Sequence, residues 1–177
     1  MSAPNQRPRF IELPTTQKGT AGERIAARWF IDRGYLPYGP AFTGAHPVDN
    51  VLLSPFTGRV TAVEVKTYPR RYASAENGID AADLTSYTEF AEWYKLPVYI
   101  VWIDQYERRA YGALLRDLAP HARPDGDKVY FSLQLMQVIF KLTLQQVSQL
   151  PPLPHPNAYA RARRFFTDDE GHPAPTT

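Results

Sequence analysis

Asp49, Glu64 and Lys66 are the residues whose types and spacing could do chemistry. Two carboxylates held close together repel unless a hard cation sits between them. Mg²⁺ suits such a pair, because it takes oxygen ligands, keeps several waters and adds phosphate oxygens readily. An ammonium two residues beyond the second carboxylate can stabilise charge on a phosphate or orient an attacking water. The chain has five lysines, and only Lys66 has an acidic residue two positions before it. A surface hairpin with a charged outer face is the plain alternative. On these three residues alone the two readings stand level.

The elements that must position them tip the balance. Residues 48–53 and 59–67 read as two strands, and Ser54-Pro55-Phe56-Thr57-Gly58 between them has the composition of a hairpin turn. In the second run Val63 and Val65 alternate with Glu64 and Lys66, so the two charged side chains share one face while Asp49 begins the partner strand. Upstream, Ile25, Ala26, Trp29 and Phe30 recur at helical spacing over residues 16–33, with Gly34 as a C-cap. Glu23 stands three and seven residues before Ala26 and Phe30, on the apolar side of that helix. A carboxylate there is costly without a partner. It is either a first-turn acid favoured by the helix dipole or a third acid reaching the cation, directly or through water.

Beyond a loop over 68–78, a second helix fits residues 80–95, with Leu84, Tyr87, Ala91 and Tyr94 as its apolar stripe and Pro97 as its stop. Residues 98–103 form a continuous apolar run, as a buried strand requires. Weaker signals follow: a short strand or turn at 111–115, a turn at Asp125-Gly126-Asp127, a strand at 129–133 and an edge strand at 138–142. Thr143 then caps a short helix reaching 150. Residues 35–47 read as a connecting loop, and Arg108-Arg109 as a solvated turn. The order is that of a mixed α/β layer structure.

Gly22-Glu23, Gly34-Tyr35, Pro47-Val48-Asp49 and Glu64-Val65-Lys66-Thr67 resemble the PD-(D/E)xK nuclease superfamily, most closely its archaeal-type Holliday-junction resolvases and related phage nucleases. The resemblance spans residues 18–104. It implies a restriction-endonuclease-like core of α-β-β-β-α-β type, a mixed central sheet flanked by helices. It implies that Asp49 and Glu64 bind Mg²⁺, or Mn²⁺ in its place, with the Val65 carbonyl as a further ligand. Lys66 is then the catalytic lysine and Glu23 the helical acid. The activity implied is Mg²⁺-dependent hydrolysis of DNA phosphodiester bonds, on branched DNA such as Holliday junctions, by a homodimer. The sequence departs from the pattern in two places: Val48 separates Pro47 from Asp49, and Asp80 and Asp83 stand where many relatives carry a glutamine on the second helix.

The segment Tyr68-Pro69-Arg70-Arg71-Tyr72 leaves the Glu-x-Lys strand with arginines for phosphates and tyrosines for bases or sugars. His46, three residues before Asp49, could touch the scissile phosphate, and Lys18, Arg24 and Arg28 could extend the basic surface. Tyr68, Arg70, Arg71, Tyr72 and His46 are the expected DNA-contacting residues, against a reading as solvated surface charge; arginines on a helix face, such as Arg24 and Arg28, are ordinarily unremarkable. A further basic patch, Arg161, Arg163 and Arg164 followed by Phe165-Phe166, trails in the proline-rich tail.

Bulk properties bound the rest. Hydrophobic content of 44% and aromatic content of 13% suit a folded domain rather than a disordered chain, and 177 residues suit one domain, taken as 17–150 with an arm at 1–16 and a tail at 151–177. With no cysteine, any metal must be held by oxygen or imidazole. No apolar run approaches a membrane span and the start has no signal-peptide pattern, so a cytoplasmic protein is expected. A net charge of +2 permits a nucleic-acid partner without demanding one. Two alternatives stay open: a restriction-type, repair or phage DNA-processing nuclease with the same site, and a non-catalytic DNA-binding module retaining the fold.

Overall fold

The structure, a computed structural model, describes residues 13–39, 47–71 and 74–152. Helix α1 runs Pro14–Ile31, two residues earlier than the apolar spacing suggests. Leu13 is the extended N-cap and Pro14 opens the first turn, where a missing N–H costs nothing and the fixed φ is already helical. Asp32, rather than Gly34, is the C-cap; Gly34, at φ 81°, then reverses the chain in a conformation that suits glycine. The expected loop after it contains a short edge strand, β1 (Leu36–Tyr38).

Strands β2 (Asn50–Leu53) and β3 (Val60–Thr67) form the expected hairpin. Ser54 N donates to Arg59 O at 2.9 Å and Gly58 N to Ser54 O at 3.0 Å, while the Ser54 hydroxyl accepts from the amides of Phe56 and Thr57. The segment expected to be a plain loop, 68–78, yields a strand, β4 (Glu76–Asp80), which leads straight into α2 (Ala81–Tyr94). Strands β5 (Val98–Asp104) and β6 (Arg109–Leu114) follow, then a single turn of helix, α3 (Leu115–Leu118). The chain continues through β7 (Arg123–Asp125), β8 (Lys128–Ser132) and β9 (Gln137–Lys141). It closes on α4 (Leu144–Ser148), where Thr143 and Gln146 make a capping box.

Six strands make the central sheet in the order β1-β2-β3-β5-β6-β9, and β4-β8-β7 make a second, smaller one. β3 and β5 are parallel, as a crossover through α2 requires, and the remaining described neighbours are antiparallel. Strand alternation splits the core in two. Val63, Val65, Val101 and Ile103 pack with Ile25, Ala26 and Phe30 of α1. Ala62, Ile100 and Trp102 face the other way, onto Tyr87 of α2 and Ile79, Val129 and Phe131 of the small sheet. The apolar stripe of α2 ends sooner than its spacing suggests: Phe90 packs on the core, whereas Tyr94 is exposed.

α1 approaches β3 closely at one point. A Cβ on Gly22 would fall 1.8 Å from Thr67 Oγ1, so only glycine lets the helix lie this near the C-terminal end of β3.

Candidate active site

The pairing of β2 with β3 stops at Asn50 opposite Val63, while β3 stays paired with β5 as far as Thr67 opposite Ile103. Residues 64–67 therefore overhang, with a strand neighbour on the β5 side alone. Asp49 fills the start of the open side. Its amide donates to Val63 O at 3.0 Å, and its carboxylate Oδ2 accepts the Val65 amide at 2.7 Å, standing in for the missing strand. Strand alternation turns both backbone groups of Val65 the same way, so its carbonyl faces this open edge as well.

Glu64 and Lys66 project from the face that carries α2. Tyr87 donates its hydroxyl to Glu64 Oε1 at 2.7 Å, and Lys66 Nζ lies 2.9 Å from the same oxygen. Lys66 Nζ also lies 2.9 Å from Asp83 Oδ2 and 5.5 Å from the centre of the Tyr87 ring. Glu64 is buried, and burial together with the nearby charge of Asp49 pushes its carboxyl up to about 7, against the opposing pull of Lys66 and Tyr87. For Lys66, burial acts downwards, but the attraction of Glu64 outweighs it and the net shift is upwards. Lys66 is a cation throughout the physiological range.

This donor set fits a hard divalent cation. Two carboxylates that raise each other's cost of ionisation, beside a main-chain carbonyl, are oxygen donors of the kind Mg²⁺ takes. Among the described residues no three acidic or imidazole side chains gather at ligand range. A cation here would complete its shell with water and phosphate oxygens. Glu23 makes no third carboxylate in such a group among the described residues; it follows Gly22 on α1, the helix that packs on the sheet face opposite Glu64 and Lys66.

The other expected residues divide. His46 and Tyr72 lie outside the described residues. Tyr68 turns inwards: its ring packs on the core, its hydroxyl donates to Gly78 O, and burial raises its pKa above the ordinary phenol value. Arg70 is paired with Glu107 at 2.7 Å, and its amide donates to buried Asp104 at 3.0 Å. Arg71 is paired with Asp125 at 2.7 Å and covers the Tyr130 ring at 4.5 Å. Lys18 is no part of a basic surface. It is fully buried in α1, bonded to Gln105 Oε1 and the carbonyl of Pro151, and burial pulls it down to about 8 despite the attraction of Asp104. The sequence placed Asp83, with Asp80, where many relatives carry a glutamine on the second helix, but gave it no role, and it read Tyr87 as part of an apolar stripe. Their spacing of four on a helix, which puts both on one face, was the signal that links them.

Among solved structures, the chain matches Archaeoglobus fulgidus Hjc, a Holliday junction resolvase from an archaeal hyperthermophile. The match has a TM-score of 0.51 and covers 69% of this chain and 92% of that one, at 16% identity. The chain shares that resolvase's fold. It is the restriction-endonuclease-like fold that the motif order implied, a mixed sheet with helices on both faces. At 16% identity, fold is what the two have in common. No protein-family model matches the sequence, and no curated protein matches it. Among the described residues no helix is long and apolar enough to cross a membrane.

Proposed function

We propose that the chain is a Mg²⁺-dependent endodeoxyribonuclease that hydrolyses phosphodiester bonds in branched DNA such as Holliday junctions. The observation that carries the reading is Glu64. It is a buried carboxylate, destabilised as an anion by Asp49 and held 2.9 Å from the ammonium of Lys66, at the one overhanging stretch of β3. A fold maintains such a cost where a counter-charge arrives with the substrate.

In this reading Asp49, Glu64 and the Val65 carbonyl hold the cation, which supplies Lewis-acid polarisation of the scissile phosphate when bound. Asp49 keeps its carboxylate at the β3 edge through the Val65 amide. Lys66, permanently charged and partly exposed, stabilises the negative charge that develops on the phosphate as water attacks in line. Glu23, the residue after Gly22 where α1 meets Thr67, would act as the helical acid through water rather than as a ligand of the cation. Arg71, one-third exposed, contacts DNA in exchange for its pairing with Asp125. A homodimer would supply the two sites that symmetric cutting of a four-way junction needs.

Purified protein incubated with junction, flap, duplex and single-stranded DNA, with and without Mg²⁺, tests the reading. The expected result is Mg²⁺-dependent cleavage strongest on the junction and abolished in Lys66→Ala. Cleavage strongest on another shape indicates a restriction-type, repair or phage-processing enzyme with the same site. Salt-sensitive binding without cleavage at any metal concentration indicates a non-catalytic DNA-binding module.

A further inference from the structure

Glu64 has two polar partners, a hydrogen bond from Tyr87 and an ion pair with Lys66, and both fall on the same oxygen. Tyr87 Oη donates to Oε1 at 2.7 Å and Lys66 Nζ sits 2.9 Å from Oε1, while among the described residues no partner is bonded to Oε2. A carboxylate pinned through one oxygen has a fixed rotation about its last bond and presents the other oxygen in a fixed direction. Of these two partners, Lys66 has a part in the chemistry proposed above, and Tyr87 has none. Its ring is buried at the centre of the α2 interface, so the hydroxyl is held by packing on a rigid element.

Lys66 has its own difficulty. Its attraction to Glu64 is what steadies it, and that attraction weakens once Glu64 shares its charge with a divalent cation. A second anchor must then keep the ammonium in place. Asp83 supplies it at 2.9 Å, from one helical turn before Tyr87 and the same face of α2.

We infer that Asp83 and Tyr87 are the positioning residues of the site: Tyr87 aims Glu64 Oε2 at the cation, and Asp83 holds Lys66 against the substrate phosphate. This rests on the nuclease reading above. It makes α2 a working part of the site, although neither of its residues touches the reacting atoms.

Two conservative variants test it. Tyr87→Phe keeps the ring and its packing and removes the hydroxyl; Asp83→Asn keeps shape and an acceptor oxygen and removes the charge. Titration calorimetry of Mg²⁺ into DNA-free protein should show Tyr87→Phe binding the ion roughly tenfold more weakly than the parent, the scale of one lost hydrogen bond to a charged group. Its cleavage should recover at saturating Mg²⁺. Asp83→Asn should bind Mg²⁺ within about threefold of the parent, and its kcat on junction DNA at saturating metal should fall roughly tenfold with KM for DNA not raised. Circular dichroism checks that both variants are folded. Parent-like Mg²⁺ affinity in Tyr87→Phe, or parent-like kcat in Asp83→Asn, overturns the assignment of that residue while leaving the nuclease reading intact. A parent protein that neither binds Mg²⁺ nor cuts DNA overturns both.

Discussion

Asp49 Oδ2 accepts the amide of Val65 at 2.7 Å, so the first acid of the site is also a structural cap on the overhanging end of β3. Its two roles separate by substitution. Asp49→Ala leaves the Val65 amide without its acceptor and should lower unfolding stability by about 1–3 kcal/mol. Asp49→Asn offers the same amide a neutral oxygen and should unfold close to the parent. Both should cut DNA about a hundredfold more slowly or worse, because the cation loses a charged ligand. Urea denaturation beside a cleavage assay gives both numbers, and equal stability of the two variants would remove the cap from the account.

Glu64 makes stability depend on pH and on Mg²⁺. Its folded pKa, about 7, lies above the ordinary value of 4.5, so the folded chain holds this proton more tightly than the unfolded one. Stability from this group is complete below pH 4.5 and is lost as pH rises through 7, on the order of 3 kcal/mol in all. A cation that binds the ionised form reverses the loss. Thermal melts should therefore show Mg²⁺ raising the Tm more at pH 7.5 than at pH 5.5. Glu64→Gln should flatten both the pH dependence in this window and the response to Mg²⁺.

Gly22 is the hinge of contact between α1 and β3. Gly22→Ala drives a methyl to within 1.8 Å of Thr67 Oγ1, and relief requires α1 to lift from the strand that carries the site. A loss of about 1–3 kcal/mol or more is expected. The double variant Gly22→Ala, Thr67→Ala should recover part of it, measured by denaturant midpoints. Thr67 is a favourable place to cut back, since its buried hydroxyl has no hydrogen-bond partner among the described residues.

Lys18 has the opposite signature. Its folded pKa, about 8, lies below the ordinary 10.5, so between these values the unfolded chain binds the extra proton. The cost of burying the charge is in full force below pH 8 and is relieved as pH rises to 10.5. Lys18→Met, of similar length, should lack this gain. The stability of the parent relative to Lys18→Met, read by urea unfolding at pH 7.5, 9 and 10, should rise across the series.

What was legible in the sequence was what short-range pattern controls. The hairpin was readable because residues 54–58 carry turn chemistry and because Val63 and Val65 alternate with charge. β5 was readable as an unbroken apolar run. β4 was not: Glu76-Asn77-Gly78-Ile79-Asp80 has the composition of a turn, and it is a strand because β8, some fifty residues on, pairs with it. The site divides in the same way. Glu64 and Lys66 sit on β3 and Asp49 directly before its hairpin partner β2, where spacing speaks directly. Asp83 and Tyr87 reach Lys66 and Glu64 only through the packing of α2 on the sheet, and in the sequence Tyr87 reads as one more member of an apolar stripe. Lys18 reads as surface charge for the same reason, since its partners Gln105 and Pro151 lie far along the chain.

The β2–β3 hairpin also sets an order in time. The Asp49–Val65 contact closes a loop of 16 residues, whereas the Lys18–Gln105 contact closes one of 87. By loop length alone the second closure costs about 1.5 kcal/mol more chain entropy than the first. The acid pair is thus assembled by a local hairpin, before the ends of the domain have found each other. Joining the termini and opening the chain within residues 54–58 would invert this, turning the acid pair from a short-range contact into a long-range one.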